Sequence, residues 1–163
     1  MHNWFELFCE KNFIYMKILF IKHGDNNIGS NRIWIDNYSY FFNNYFNIET
    51  KISQNFEEGF DIYFVSKYCK ADVVKEIRQK STGKIGIIQP SDNNADSIKK
   101  IHLSDFLILG SILEKDYYLK FKKPSFIFPL IEIIERNLKK KSNKILKLGY
   151  HGNLEHLISF PDQ

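Results

Sequence analysis

The chain has 163 residues, enough for one ordinary domain and few for two. Its 44% hydrophobic and 26% charged content excludes a disordered chain, a collagen-like repeat and a coiled coil, and 15 Phe with 9 Tyr supply ample core material. Lys and Arg total 23 against 19 Asp and Glu, a net charge of +4, but only three are arginine (Arg32, Arg78, Arg136), so no nucleic-acid partner is expected.

Two cysteines, Cys9 and Cys69, make no disulfide framework, and no CxxC or Cys/His cluster indicates a metal site. A reducing, cytoplasmic setting is the expectation. No run of eighteen apolar residues suggests a membrane span. Residues 1–15 lack a basic start and a small-residue cleavage site, and they carry Glu6 and Glu10, which argues against a signal peptide. They fit the pattern of the remaining chain poorly and read either as a short extra helix or as a non-native stretch translated upstream of the true start at Met16, the second being the expectation.

Met16–Gly24 reads as an opening strand, a short apolar run ending at glycine. A turn-rich loop, Asp25–Asn31, leads to a helix expected near Arg32 and capped by Ser30 or Asn31. Ile35, Tyr38, Phe42 and Tyr45 recur at helical spacing, which predicts one buried face. Strands are expected at Ile48–Ser53, Asp61–Ser66, Lys84–Gln89, Asp105–Gly110 and Ser125–Pro129. Helices are expected at Ala71–Gln79, with Val73, Val74 and Ile77 buried, at Ala95–Ile101, and from a Ser111 cap to about Lys120. A helix at Ile131–Leu138, ending in Lys139–Lys141, and a further strand at Lys144–Gly149 complete the pattern.

This alternation predicts an α/β fold, a parallel sheet covered by helices on both faces. Such sheets bind ligands at the carboxyl ends of their strands. Those ends are the loops at His23–Ser30, Ser66–Lys70, Gln89–Asn94, Gly110–Ser111 and Tyr150–Asn153. Gly29-Ser30-x-Arg32 stands where the first strand hands over to the first helix, a place suited to anions. A plain N-cap with a solvent-facing arginine explains the same residues, and spacing alone favours it. Neither GxGxxG nor GxxxxGK[ST] is present. His23 and His102 suit a general base, although such histidines are more often surface or capping residues. Asp92 lies in a polar loop after a strand end, where a catalytic carboxylate and a turn-former are both at home. In Leu148–Leu157 a strand runs into a loop with two glycines, two histidines and an asparagine, and no helix follows to cover that strand. The expectation is a cut chain.

In order along the chain, these pieces resemble the N-terminal half of a GT-B glycosyltransferase of the group 1, family 4-like kind. The likeness rests on Met16-Lys17-Ile18-Leu19-Phe20, Gly29-Ser30-x-Arg32-Ile33, Asp105–Ser111, Phe126–Glu132 and Leu148–Asn153, and it covers residues 16–160. It implies a Rossmann-like acceptor-side domain over 16–143 and the first strand and loop of a donor-side domain over 144–163. The implied reaction is sugar transfer from a nucleotide-sugar donor to a glycan or lipid-linked acceptor, with no cofactor and no obligatory metal. This chain alone is expected to be inactive or weak, because the donor-side lobe is largely missing.

By the same resemblance Gly29, Ser30 and Arg32 line the cleft near the donor phosphates, Gly152 and Asn153 begin the donor side, and His102 or Asp92 serves as base. Enzymes of this type often work at the inner face of the membrane. The rival expectation is a non-enzymatic, flavodoxin-like module that holds a small ligand or a protein at the same strand-end loops.

Overall fold

A computed structural model describes residues 15–24, 29–91 and 94–128. The chain divides into two units, Met1–Ile133 and Ile134–Gln163, and all the described residues belong to the first. The segments expected at residues 131–138 and 144–149, the boundary expected at 143/144, and residues 1–14 lie outside the described residues.

Among the described residues, six strands form one parallel sheet: β1 Lys17–Ile21, β2 Glu49–Ser53, β3 Ile62–Ser66, β4 Lys84–Ile88, β5 Phe106–Leu109 and β6 Ser125–Ile127, in the order β2-β1-β3-β4-β5-β6. The first helical region, α1, runs Gly29–Asn31, then a π-helical stretch Arg32–Asp36, then Asn37–Tyr45. The others are α2 Ala71–Lys80, α3 Ala95–Leu103 and α4 Ile112–Tyr118, the last continued by a 3-10 turn at Leu119–Phe121. This is the expected Rossmann-like α/β architecture. The inner strands β1, β3, β4 and β5 are nearly uninterrupted apolar runs because both faces are covered, while the edge strand β2 is largely polar and exposed.

Alternate side chains of each strand point to opposite faces. On one face Leu19, Ile21, Tyr63, Val65, Ile85, Ile87, Leu107 and Leu109 pack against Val74 and Ile77 of α2, Ile101 of α3 and Tyr118 of α4. The β2–β3 connection crosses this face without a helix and covers it with Phe56 and Phe60. On the other face Ile18, Phe20, Phe64, Ile88 and Ile108 meet Trp34, Ile35 and Tyr38 of α1.

Helix α1 departs from expectation in two ways. Ser30 and Asn31 lie inside the first turn, and Asn31 makes no side-chain cap bond. The π-helical stretch widens the turn, so Trp34 joins Ile35 and Tyr38 on the buried side. Trp34 and Tyr38 stack at 5.9 Å, while Tyr45, expected on that face, is 68% exposed. Other differences are small. Ala71 replaces Val73 in the fully buried set of α2. Ser111 caps α4 as expected, its hydroxyl accepting from the Glu114 N–H, while the Glu114 carboxylate accepts from the Gly110 N–H at 2.6 Å.

Candidate functional site

In this strand order β1 has β2 on one side and β3 on the other, with α1 and α2 on opposite faces of the sheet. The sheet's connections therefore part between β1 and β3, and a crevice opens beyond the strand ends there. Asn31, 1% exposed, stitches this point together. Its Nδ2 donates to the His23 carbonyl at 2.9 Å, and its Oδ1 accepts from the Ser66 hydroxyl at 3.2 Å. Lys22 fixes α1 to the end of β1 through both carboxylate oxygens of Asp36, at 2.8 and 2.9 Å.

Above Asn31 lies a slit lined by Ser30, Trp34, Ser66, Lys67, Tyr68 and Gln89. Its volume is about 10 Å³, room for one water, so a larger ligand would rest on its rim. The Ser30 hydroxyl and the Tyr68 phenol are hydrogen-bonded at 2.9 Å. The Lys67 ammonium stands 5.3 Å from the centre of the Tyr68 ring. Gln89 holds φ at +45°, a conformation unusual for a residue with a side chain, while its N–H donates to the Ile108 carbonyl at 2.8 Å. Beside it, a Cβ on Gly110 would approach the Trp34 ring to 3.1 Å and the Gln89 amide nitrogen to 3.4 Å. Glycine is what lets Trp34 close the floor of the slit.

On the other side of the β3–α2 loop is an open groove of about 670 Å³ that shares Lys67 and Tyr68 and runs to the start of α3. Its floor contains Lys100, 3% exposed, whose ammonium donates to the carbonyls of Lys67 and Cys69, both at 2.6 Å. Burial pulls the Lys100 pKa below the ordinary lysine value, against the opposing influence of Asp96. Burial also pushes the neighbouring Cys69 thiol up to about 11, so it is not a thiolate at neutral pH. Its sulfur donates to the Ile21 carbonyl at 3.4 Å, a structural contact.

The structure brings Gly29, Ser30 and Arg32 to the carboxyl edge of the sheet, at the start of α1. A Cβ on Gly29 would meet nothing within 4 Å, so no protein neighbour requires glycine there. His102 is not brought to that edge. Helix α3 runs back against the strands, which puts His102 in its last turn, by the amino ends of the strands. There its ring meets Phe121 edge-on at 5.7 Å, and its carbonyl accepts from Lys123 at 2.9 Å. A base on that edge cannot serve a ligand on the other. His23 does lie at the carboxyl edge, but its Nε2 must donate to the Gln54 carbonyl at 2.6 Å, which gives it a structural role. Asp92, Gly152 and Asn153 lie outside the described residues.

Sequence reasoning named the Ser66–Lys70 and Gln89–Asn94 loops but singled out none of Asn31 as a stitch, Trp34, Tyr68, Gln89 or Lys100. Only Lys100 had a readable signal, since it lies on the same helical face as buried Ser97 and Ile101. Among the described residues no group of His, Cys, Asp and Glu could hold a metal ion, and no helix is long and apolar enough to cross a membrane. No family model matches the chain, and no curated protein matches it.

Proposed function

We propose that the carboxyl edge of the sheet binds a sugar-bearing ligand, and that the chain supplies the acceptor side of a GT-B glycosyltransferase that moves a sugar from a nucleotide donor to a glycan or lipid-linked acceptor. The observation that carries this reading is the chemistry of the slit. Ser30, Tyr68 and Gln89 offer two hydroxyls and an amide beside one exposed aromatic ring, Tyr68, above the buried Trp34 floor. Hydroxyls and amides both donate and accept, as sugar hydroxyls require, and aromatic faces take the apolar face of a sugar ring. The ordered likeness along the sequence adds the reaction class. His102 has no part in this reading, because of where it lies.

Saturation-transfer NMR of the whole chain with UDP, GDP, their sugar conjugates and free hexoses tests it. Saturation of sugar protons is expected, reduced by Tyr68→Phe and by Ser30→Ala. Absence of any transfer from all of these ligands would refute the proposal.

The strand order favours one second reading. Through its first five strands the sheet follows the flavodoxin-like order 2-1-3-4-5, whose ligands also sit at the β1/β3 crevice. Binding of an unrelated small ligand at Ser30 and Tyr68, with none of the nucleotides or sugars, would identify a non-enzymatic module of that kind.

A further inference from the structure

We propose that the groove between the starts of α2 and α3 is a separate anion site that takes a phosphoryl group. The argument begins with Lys100. A buried ammonium is costly unless its charge is balanced, and the usual balance is a carboxylate in contact. Here the contacts are two neutral carbonyls, those of Lys67 and Cys69. The acid one turn away, Asp96, favours the Lys100 charge at a distance but spends its Oδ1 on the Ala71 N–H at 3.0 Å, at the start of α2, and makes no direct ion pair with Lys100 among the described residues. Lys67 and Lys70 line the same groove, and neither has a carboxylate partner among the described residues.

Lys67 and Lys70 thus line a concave surface that has one carboxylate, Asp96, with the buried Lys100 ammonium beneath it. Low-dielectric walls concentrate such a field on whatever enters. Helix α3 adds the positive end of its dipole, with Asn94 at its cap. The volume, about 670 Å³, accommodates a phosphate or a pyrophosphate. Lysines act as point charges and impose no fork geometry, so the site selects for phosphoryl charge rather than for one molecular outline. A soluble phosphate ester and a lipid headgroup carry the same chemistry. This inference does not depend on the sugar-transfer reading, because the probe contains no sugar.

The experiment is an amide NMR titration of the whole chain with inorganic pyrophosphate at constant ionic strength. Saturable shifts are expected at Lys67–Ala71 and Asn94–Ser97. The double variant Lys67→Gln, Lys70→Gln should weaken binding about tenfold, and Lys75→Gln, on the exposed side of α2, should leave it unchanged. Raising sodium chloride from about 50 to about 300 mM should also weaken it. Thermal unfolding of both variants establishes that they fold. Shifts that do not saturate, that fall elsewhere, or that survive the double variant would overturn the proposal. In a parallel arm, vesicles of phosphatidylcholine with phosphatidylglycerol are sedimented with the protein. Pelleting that the double variant abolishes assigns the phosphoryl group to a lipid headgroup, and pyrophosphate binding without pelleting assigns it to a soluble ester.

Discussion

The two ends of the same sheet are built in opposite ways. At the amino edge the charges close on one another. The Lys17 ammonium meets the Glu49 carboxylate at 3.4 Å, and Arg78 meets Asp105 at 2.6 Å and the Leu103 carbonyl at 2.8 Å. At the carboxyl edge Lys67 and Lys70 stand without carboxylates among the described residues, and Lys100 is buried against carbonyls. Ion pairs there, such as Lys22 with Asp36, anchor a helix and leave the crevice open. Charge left without a carboxylate in contact is what a binding edge can use. The amino edge stabilises the fold, and on the proposed reading the carboxyl edge keeps interactions in reserve for a ligand.

The largest effect that this contrast predicts is at Asp105. Burial pushes its carboxyl up, but the N–H of Ile85 and the Arg78 guanidinium outweigh that and hold the pKa below the ordinary aspartate value. Asp105→Ala strands both donors. With both side chains of the pair about a third exposed or less, the expected loss is roughly 2–3 kcal/mol in urea unfolding at pH 7. The pH dependence has a fixed sign. A depressed carboxyl contributes its full stability above the unfolded value near about 3.9 and loses it as pH falls through the folded value. The variant should therefore differ from the parent at pH 7 and converge with it in strong acid. A loss at pH 7 under about 0.5 kcal/mol would break the amino-edge half of the comparison.

Two glycines sharpen it. At Gly83, before β4 on the amino side, an added Cβ would lie 2.6 Å from the Phe60 carbonyl oxygen and 2.6 Å from the Tyr63 ring. One neighbour is backbone and the other is fully buried, so neither yields easily. Gly83→Ala should cost about 1–3 kcal/mol. Gly29→Ala at the carboxyl edge, with open space around the new Cβ, should change stability by less than about 0.5 kcal/mol. Equal losses would show that these two positions do not differ in packing demand.

The same contrast explains how far the sequence could be read. Strands such as Ile62–Ser66 and Lys84–Ile88 were legible because uninterrupted apolar runs between turn signals have few other uses. The Ser111 cap was legible because its chemistry is local. Residues whose role depends on what the fold brings near them were not. Asn31 reads as a helix cap, yet it joins the ends of β1 and β3, an arrangement set by strand order. His102 reads as a base beside a strand, but which end of that strand it occupies decides its use. Trp34 escaped notice because a π-helical turn breaks the period by which faces are counted. Asp105, part of the likeness to sugar transferases, has a structural part here, bonded to Ile85 and Arg78.

The smallest expected change in stability is also the most informative. Ser30→Ala and Tyr68→Phe each remove one hydroxyl from a pair exposed to solvent, and water replaces the lost partner. Each should shift stability by less than about 0.5 kcal/mol. Against a bound sugar the same hydroxyls are shielded from water, and each deletion should weaken binding about fivefold to tenfold. The test is the ratio of the two effects, measured by thermal unfolding and ligand titration on the same protein preparations. A loss of several kcal/mol from either variant would mean that the pair holds the β3–α2 loop against α1, and the carboxyl edge would then be as much scaffold as the amino edge.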